Sequence, residues 1–394
     1  MRIAIVTLGF SHDVNDWCTP ALVELVRGLA AYVEVDIYAL VYPHETRRYC
    51  AHGARVFSFG WARPGPLVNR INALRAFARF NMEHKQRPYD VIHAVWGTLP
   101  ATFARWVSAR SGLPILLSLF AGEMVYIPHI RYGGLRTPRA RRQLSANLAA
   151  AEIITAGSAY ASRATENALG HHPRTLPFGV NLNRFQPDGP VAALSGNLRL
   201  LTVASLNRVK GHETALSALE ILQNLDREIA SRLHYHIIGE EQDGGQLRTQ
   251  INSRRLVSDI TLHDAVPYVD LAPVYRGADI LLHPSHHETQ PGVALEAAAC
   301  NTPVFGSSVG LLPDLASPEW TVPPGNAARL AENLLQILKS PEKWKEEARR
   351  QRDWVYRHAD AADCVRSFIE FYQELRQRRP EVNAPITEPE KSLP

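Results

Sequence analysis

Short β-branched runs alternate with amphipathic stretches along nearly the whole chain. Ile3–Leu8, Val33–Val41, Asp90–Val95, Ile115–Leu119 and Glu152–Ala156 read as strands of the first half. Leu198–Ser205, His234–Gly239, Asp259–His263, Asp279–His283 and Pro303–Gly306 read as strands of the second. Helical periods lie between them, as in Glu213–Leu225, where Ala215, Leu216, Leu219, Ile221 and Leu222 share one face. Strand and helix in alternation predict parallel sheets covered on both faces, and the near-continuous apolar strands fit burial on both sides. The fold class expected is α/β, with two facing doubly wound Rossmann-like domains and a cleft between them.

The turn-rich segment Pro187-Asp-Gly-Pro-Val-Ala-Ala-Leu-Ser-Gly196 marks the boundary. It divides an N-terminal domain at 1–187 from a C-terminal domain at 198–360. A final helix at 361–378 carries Val365, Phe368, Ile369, Phe371 and Tyr372 on a helical period and is expected to pack back on the first domain. The proline-rich tail 379–394 is expected to be disordered. The 394 residues exceed one ordinary core, and 45% hydrophobic with 21% charged residues is a globular balance. A net charge of +4 suits an anionic ligand or membrane surface but is too weak to imply nucleic acid. Cys18, Cys50, Cys300 and Cys364 form no metal-ligand spacing, so free thiols in a reducing cytoplasm are expected. The opening Met-Arg-Ile-Ala-Ile-Val reads as a strand and not a signal peptide, and no apolar run is long enough to span a bilayer.

In open parallel sheets, ligands bind beyond the carboxyl ends of the strands. The segment Ser285-His-His-Glu-Thr-Gln-Pro-Gly-Val-Ala-Leu-Glu-Ala-Ala-Ala-Cys-Asn-Thr-Pro-Val304 lies there. It reads as a loop carrying Glu288, then a helix from about Gly292 to Cys300 carrying Glu296. A helix N-terminus favours an anion such as a diphosphate. A carboxylate on that helix can accept two bonds from a ribose diol, and one in the loop can accept bonds from sugar hydroxyls. On spacing alone, two surface glutamates beside a packed Ala-rich helix are an equal reading. Val203-Ala-Ser-Leu-Asn-Arg-Val-Lys-Gly211 forms the first strand–helix turn of the second domain and places the cation of Lys210 there.

The pair of glutamates, followed by Ala-Ala-Ala-Cys-Asn-Thr-Pro-Val, resembles the signature of glycosyltransferase family four. These are retaining nucleotide-sugar enzymes of the GT-B fold. The resemblance implies that Glu296 binds the donor ribose and Glu288 the transferred sugar, and that the backbone through Gln290, Pro291, Gly292 and Val293 meets the donor. Lys210 matches the family's phosphate-binding lysine, where a cation offsets charge on the leaving diphosphate. Lys210 and Glu288 are therefore the expected catalytic pair. Thr289 stands where the family has Gly and adds bulk near the sugar. Asn301 replaces another Gly at a position where left-handed geometry is tolerated by Asn. Ser205 replaces the family's arginine, and Arg208 in the same loop is expected to supply the missing charge.

Further segments match in the same order. Leu176-Pro-Phe-Gly-Val-Asn-Leu-Asn-Arg-Phe-Gln-Pro187 resembles the family's segment before the interdomain link. Gly239 and Glu240 resemble its glycine turn, and His263-Asp-Ala-Val-Pro-Tyr268, with Val266 and Pro267, resembles the nucleobase cradle. In the first half, Gly9, His12, Gly122 and Glu123 are the acceptor-side candidates. Asp13 and Asp16 accompany His12, with plain charged turn residues as the alternative. His93 resembles a family histidine at a strand end and reads equally as a packed one.

The expected function is transfer of a sugar from a nucleotide diphosphate sugar to an acceptor hydroxyl with retention of configuration. No cofactor is expected, the nucleotide sugar being substrate. No essential metal is expected either, because there is no Asp-x-Asp, nor is there a P-loop or GxGxxG. The expected acceptor is a glycan or a lipid-linked sugar, in polysaccharide or glycolipid synthesis. Arg63, Arg70, Arg75 and Arg79 flank Leu67, Ile71, Leu74, Phe77 and Phe80. Arg131, Arg136, Arg139, Arg141 and Arg142 form a second basic cluster. Both suggest peripheral contact with an anionic membrane at its cytoplasmic face, the alternative being a stripe packed on the sheet with solvated arginines. Rival functions are a non-catalytic sugar-nucleotide binding protein and an epimerase or phosphorylase on the same fold.

Overall fold

The computed structural model describes residues 1–60 and 66–378, without the side chains of 66–70. The disorder expected of 379–394 and the placement of Arg63, and of the side chains of Leu67 and Arg70, lie outside these residues.

Two sheets form, one on each side of residue 190. The first contains β1 (Arg2–Gly9), β2 (Glu34–Tyr42), β3 (Thr46–Ala51), β4 (Ala54–Phe59), β5 (Val91–Val95), β6 (Ile115–Leu119), β7 (Ile153–Ala156) and β8 (Arg174–Thr175), in the order β3-β4-β2-β1-β5-β6-β7-β8. All neighbours pair in parallel except β3 with β4. The second contains β9 (Leu198–Val203), β10 (Leu233–Ile238), β11 (Asp259–His263), β12 (Ile280–His283), β13 (Val304–Ser307) and β14 (Thr321–Val322), in the parallel order β11-β10-β9-β12-β13-β14. In both, the order reverses beside the first strand, so a crevice opens at the carboxyl ends of β1 and β9.

The central strands are buried on both faces, as their apolar runs require: Ile3, Ala4, Ile5 and Val6 are fully buried, and so are Val91, Ile92, Ala94 and Val95. Helices supply the cover. Pro20–Ala30 buries Leu22, Val23, Leu25, Val26 and Leu29, and Ala327–Leu338 buries Leu330, Ala331, Leu334 and Leu335. The last helix, Ala361–Gln377, crosses back and packs Val365, Phe368 and Tyr372 into the core of the first sheet. His93 meets it there. Its Nδ1 lies 2.8 Å from the Tyr372 hydroxyl and its Nε2 2.8 Å from Ser118 Oγ, both buried. Burial drives its pKa down to about 3, so this histidine is a neutral core group.

The helix Pro66–Gln86 departs from its expected phase. Asn72, Ala76, Phe80 and Glu83 face inward, while Ile71 is 40% and Leu74 68% exposed. Glu83 explains the rotation. It joins Asp36, Arg2 and Arg55 in a buried ion network, and a carboxylate so paired faces in and turns Ile71 and Leu74 out. Among the described residues no helix is long and apolar enough to cross a membrane.

Candidate active site

The loop after β12 and the turn after β9 meet at the carboxyl edge of the second sheet. Gly211 permits that approach, and Gly239, at the end of β10, permits the close passage of the same turn on its other side. A Cβ on Gly211, whose φ is +69°, would lie 2.0 Å from the Pro284 carbonyl oxygen, and one on Gly239 would lie 1.8 Å from that of Ala204. Lys210, held by this turn, donates to Glu288 Oε1 at 2.7 Å, and Ser285 Oγ donates to the same oxygen at 3.1 Å. Burial alone would raise the Glu288 carboxyl, but the charge and hydrogen bond of Lys210 outweigh it and hold it below the usual range. The pair is therefore ionised. His283, at the end of β12, sits 3.9 Å from Glu288, and burial lowers its pKa to about 4, leaving it neutral.

From Gly292 the chain enters the helix Gly292–Ala299, whose N-cap residue Pro291 offers no side-chain cap. The free N–H groups of its first turn are thus open to an anion. One turn in, Glu296 is 6% exposed and accepts a hydrogen bond from the Tyr275 hydroxyl at 2.6 Å. Burial raises its pKa to about 7, and Glu24 adds to the rise while Tyr275 and Arg184 oppose it. The surrounding cleft holds about 610 Å³. Lys210, Glu288 and Glu296 line its second-domain wall; Cys18, Thr19, Trp96, Phe120 and Tyr132 line the first-domain wall.

The donor-side loop is bonded to the first domain. The Thr289 hydroxyl donates to the Phe120 carbonyl at 2.6 Å, the Ser158 hydroxyl donates to the Thr289 carbonyl at 2.6 Å, and the Phe178 N–H donates to Gln290 Oε1 at 2.9 Å. Trp17 stacks on Tyr268 across the same junction, with the Arg184 guanidinium over both rings. So the threonine that replaces glycine does more than add bulk at the cleft: its hydroxyl ties the loop to the opposite domain.

Most residues expected on the donor side line this cleft: Ser205, Lys210, Gly239, Val266, Glu288 and Thr289, with Gln290, Pro291, Gly292, Val293 and Glu296. Others do not. Arg208, expected to supply the missing charge, lines a separate cleft. Glu240 is exposed and accepts from Gln242, and Pro267 lies outside the cleft wall. On the acceptor side, Glu123 is 4% exposed, and its carboxylate is occupied by the N–H groups of Gly97, Phe120 and Ala121. Gly122 makes room for the Tyr132 ring, 2.3 Å from where its Cβ would lie. Gly9 packs beside Tyr42 and Cys18, and His12 is held between Asp13 and Asp16, 2.9 Å from each. None of these four lines the cleft. Asn301 does adopt the left-handed conformation, with φ 64°.

Comparison with known proteins agrees with this architecture. The family described as "Glycosyl transferases group 1" matches residues 191–353, and the "Glycosyl transferase 4-like domain" matches 18–179. A D-inositol 3-phosphate glycosyltransferase of Geodermatophilus obscurus is 27% identical over 259 residues, covering 60% of this chain and 55% of that protein. The chain thus spans little more than half the length of that relative. Among solved structures, sucrose-phosphate synthase of Thermosynechococcus elongatus superposes with a TM-score of 0.78 at 19% identity, covering 96% of this chain and 100% of that one. The HepE protein of Anabaena, in complex with UDP-glucose, gives 0.72 at 15% identity, covering 95% and 100%. Two facing parallel-sheet domains of this kind are the GT-B fold. The chain belongs to the group 1, or family four, glycosyltransferases.

Proposed function

We propose that the protein transfers a sugar from a nucleoside diphosphate sugar to an acceptor hydroxyl with retention at the anomeric carbon. The observation that carries this reading is the Lys210–Glu288 pair, 2.7 Å apart at the mouth of an uncapped helix N-terminus. In that arrangement the diphosphate takes the helix amides and draws Lys210 from Glu288. The freed carboxylate accepts hydrogen bonds from the sugar hydroxyls, and Glu296 accepts from the ribose diol. As the anomeric C–O bond breaks, negative charge grows on the leaving phosphate, where Lys210 stabilises it. The acceptor oxygen bonds to the anomeric carbon, and its proton passes to the departing phosphate oxygen.

The reading includes no metal. Among the described residues no three metal-ligating side chains come together, while a lysine and a helix N-terminus are both placed to neutralise the diphosphate. HepE and a trehalose-6-phosphate protein of E. coli were solved with UDP-glucose and UDP-2-fluoro glucose, so UDP-sugars are the first donors to assay. A glycan or lipid-linked acceptor completes the proposal. The test is nucleotide release from a panel of nucleoside diphosphate sugars, with and without added acceptor and with and without EDTA. Acceptor-dependent release indifferent to EDTA supports the reading. Release that needs added Mg²⁺ or Mn²⁺ refutes the metal-free part, and no binding of any donor refutes the whole.

A further inference from the structure

Trp96 stands at the carboxyl end of β5, on the first-domain wall of the cleft. Its backbone is left-handed, with φ 78°. A bulky side chain rarely adopts that conformation, and one that does is held there by its surroundings. The Trp96 N–H donates to the Ser118 carbonyl at 3.0 Å. The next N–H, of Gly97, donates to Glu123 Oε1 at 3.0 Å, and Asn147 Nδ2 donates to the Gly97 and Thr98 carbonyls at 2.9 and 3.1 Å. Glu123 also accepts from the N–H groups of Phe120 and Ala121 at 3.3 and 2.7 Å. One buried carboxylate thus fixes the loops after β5 and β6 together. With them it fixes the Trp96 and Phe120 rings, which meet edge to face with centroids 4.9 Å apart. Trp96 is only half-buried, so this strain serves a ring that the core does not enclose.

Tyr132 lines the same wall, folded over Gly122, with its ring 6.0 Å from that of His287. Among the described residues neither the Trp96 indole N–H nor the Tyr132 hydroxyl donates a hydrogen bond, and neither is enclosed. No Lys, Arg or carboxylate among the described residues lines this wall. Lys210 and the open amides of the helix Gly292–Ala299 belong to the opposite one. The amides after β5 and β6, where such a crevice would receive an anion, are taken by Glu123. The helix Pro20–Ala30 also starts uncapped here, but the Asp16 and Glu240 carboxylates both bear on Cys18 beside it. Burial first, and then the carboxylates of Glu288 and Glu123, raise the Tyr132 hydroxyl to about 12.

An anionic group on this wall would therefore meet negative charge and no cation. A cationic group gains little either, because Glu288 is already paired with Lys210 and Glu123 with three amides. What the wall offers is a flat aromatic face with an N–H and an O–H donor. A pyranose matches both. Its C–H face lies against the electron-rich ring face, and its hydroxyl oxygens accept at the rim. Given the donor assignment, we propose that Trp96 is the platform of the acceptor subsite. The acceptor presents a neutral sugar ring there, with neither a phosphate nor an ammonium on that ring. Glu123 and Asn147 are positioning residues, which hold the platform without touching the sugar.

Saturation-transfer NMR on the full chain tests it, with UDP present to occupy the donor side. Methyl α-glucoside, methyl α-mannoside and methyl β-galactoside are the neutral probes, and glucose 6-phosphate and glucosamine the charged ones. Each is taken to ~10 mM, the range of weak sites. The expected result is binding of at least one neutral glycoside, more tightly than either charged sugar. Trp96→Ala should weaken that binding by about tenfold, and Trp96→Phe, which keeps an aromatic face, should restore most of it. UDP binding, followed by calorimetry, should persist in both. Trp96→Gly relaxes the left-handed backbone and should melt above Trp96→Ala yet bind the glycoside no better. If Trp96 acted only through the fold, the more stable variant would also bind better. Undiminished glycoside binding in Trp96→Ala overturns the proposal. So does a charged sugar bound more tightly than every neutral one, or no binding of any neutral glycoside. A wild type that binds a neutral glycoside through Trp96 but no UDP would instead overturn the donor reading.

Discussion

Lys210 and Glu288 neutralise each other, and in the proposed reaction the pair holds two charges where a diphosphate and a sugar would need them. Replacing Lys210 by Ala strands Glu288 and, under the proposed function, removes the cation that stabilises the leaving group. Loss of one charged hydrogen bond costs about 1.5–3 kcal/mol, or roughly 10–150-fold, and should fall mainly on kcat. Steady-state kinetics at saturating donor measures it, and a fall confined to KM would contradict the role. Glu296 carries a different signature. Its folded-state pKa near 7 exceeds the ordinary 4.5, so the folded protein holds this proton more tightly than the unfolded chain. Stability from this group is therefore lost as pH rises from about 4.5 to 7, by up to about 3 kcal/mol. Glu296→Gln should raise the ligand-free Tm above pH 7. Donor binding moves the opposite way. The carboxylate accepts both ribose hydroxyls only when ionised, so affinity for a nucleoside diphosphate sugar should rise between about pH 6 and 8 in the wild type and stay flat in Glu296→Gln. Calorimetric titration at three pH values decides this, and a flat wild-type profile would exclude Glu296 from the ribose site.

The loop from Ser285 to Pro291 is the element on which both domains act. Ser158 both caps the helix Ala159–Leu169 and donates to the Thr289 carbonyl, so the cap of one domain holds the donor loop of the other. Thr289→Gly should loosen this junction, raising the donor KM several-fold while the fold persists. Thr289→Ser keeps the hydroxyl and should restore it, and failure of the serine to rescue would mean that the methyl group and not the hydroxyl matters. Thr289 also shows how far an element can be read from sequence. Its place in a strand–loop–helix unit beside Glu288 follows from periodicity and spacing, because burial on both faces leaves the strands few polar positions. Its partner does not, since Phe120 is 169 positions away and contributes only a carbonyl. The setting of Glu123 was hidden for a related reason: a carboxylate after a strand reads the same whether it meets a ligand or three main-chain amides. The edge hairpin β3–β4 escaped notice because its outer strand, Thr46–Ala51, is charged, as an exposed edge must be, and its turn is His52-Gly53 instead of the usual Asn-Gly. The first-domain wall of the cleft was hidden as well, for Cys18, Thr19, Trp96 and Tyr132 come from three separate strand ends and form no local pattern.

At the scale of the whole molecule, the first domain presents an exposed surface that is both apolar and basic. Leu74 and Ile71 stand out from the helix Pro66–Gln86 with Arg75 beside them. Arg47, Arg48 and Arg79 line a groove of about 470 Å³ next to that helix, floored by Phe57 and Phe59. The second cluster, Arg131, Arg136, Arg139, Arg141 and Arg142, is exposed throughout. An apolar edge with Arg47, Arg48, Arg75 and Arg79 beside it matches an anionic leaflet, to which each cation contributes about 1 kcal/mol. Several arginines already have protein partners. Arg79 lies 3.5 Å from Glu83, and Arg47 2.9 Å from Glu45, so Arg48, Arg75 and the second cluster should dominate. The expected outcome is reversible binding to vesicles containing phosphatidylserine. Flotation should be strong at ~50 mM salt and lost at ~500 mM, where screening shortens the reach of surface charge to a few ångströms. Leu74→Glu should reduce flotation at low salt without changing Tm, because that side chain is 68% exposed. Binding that survives high salt would point to apolar insertion as the main force, and no flotation at either concentration would remove the membrane from the proposal and leave a soluble acceptor.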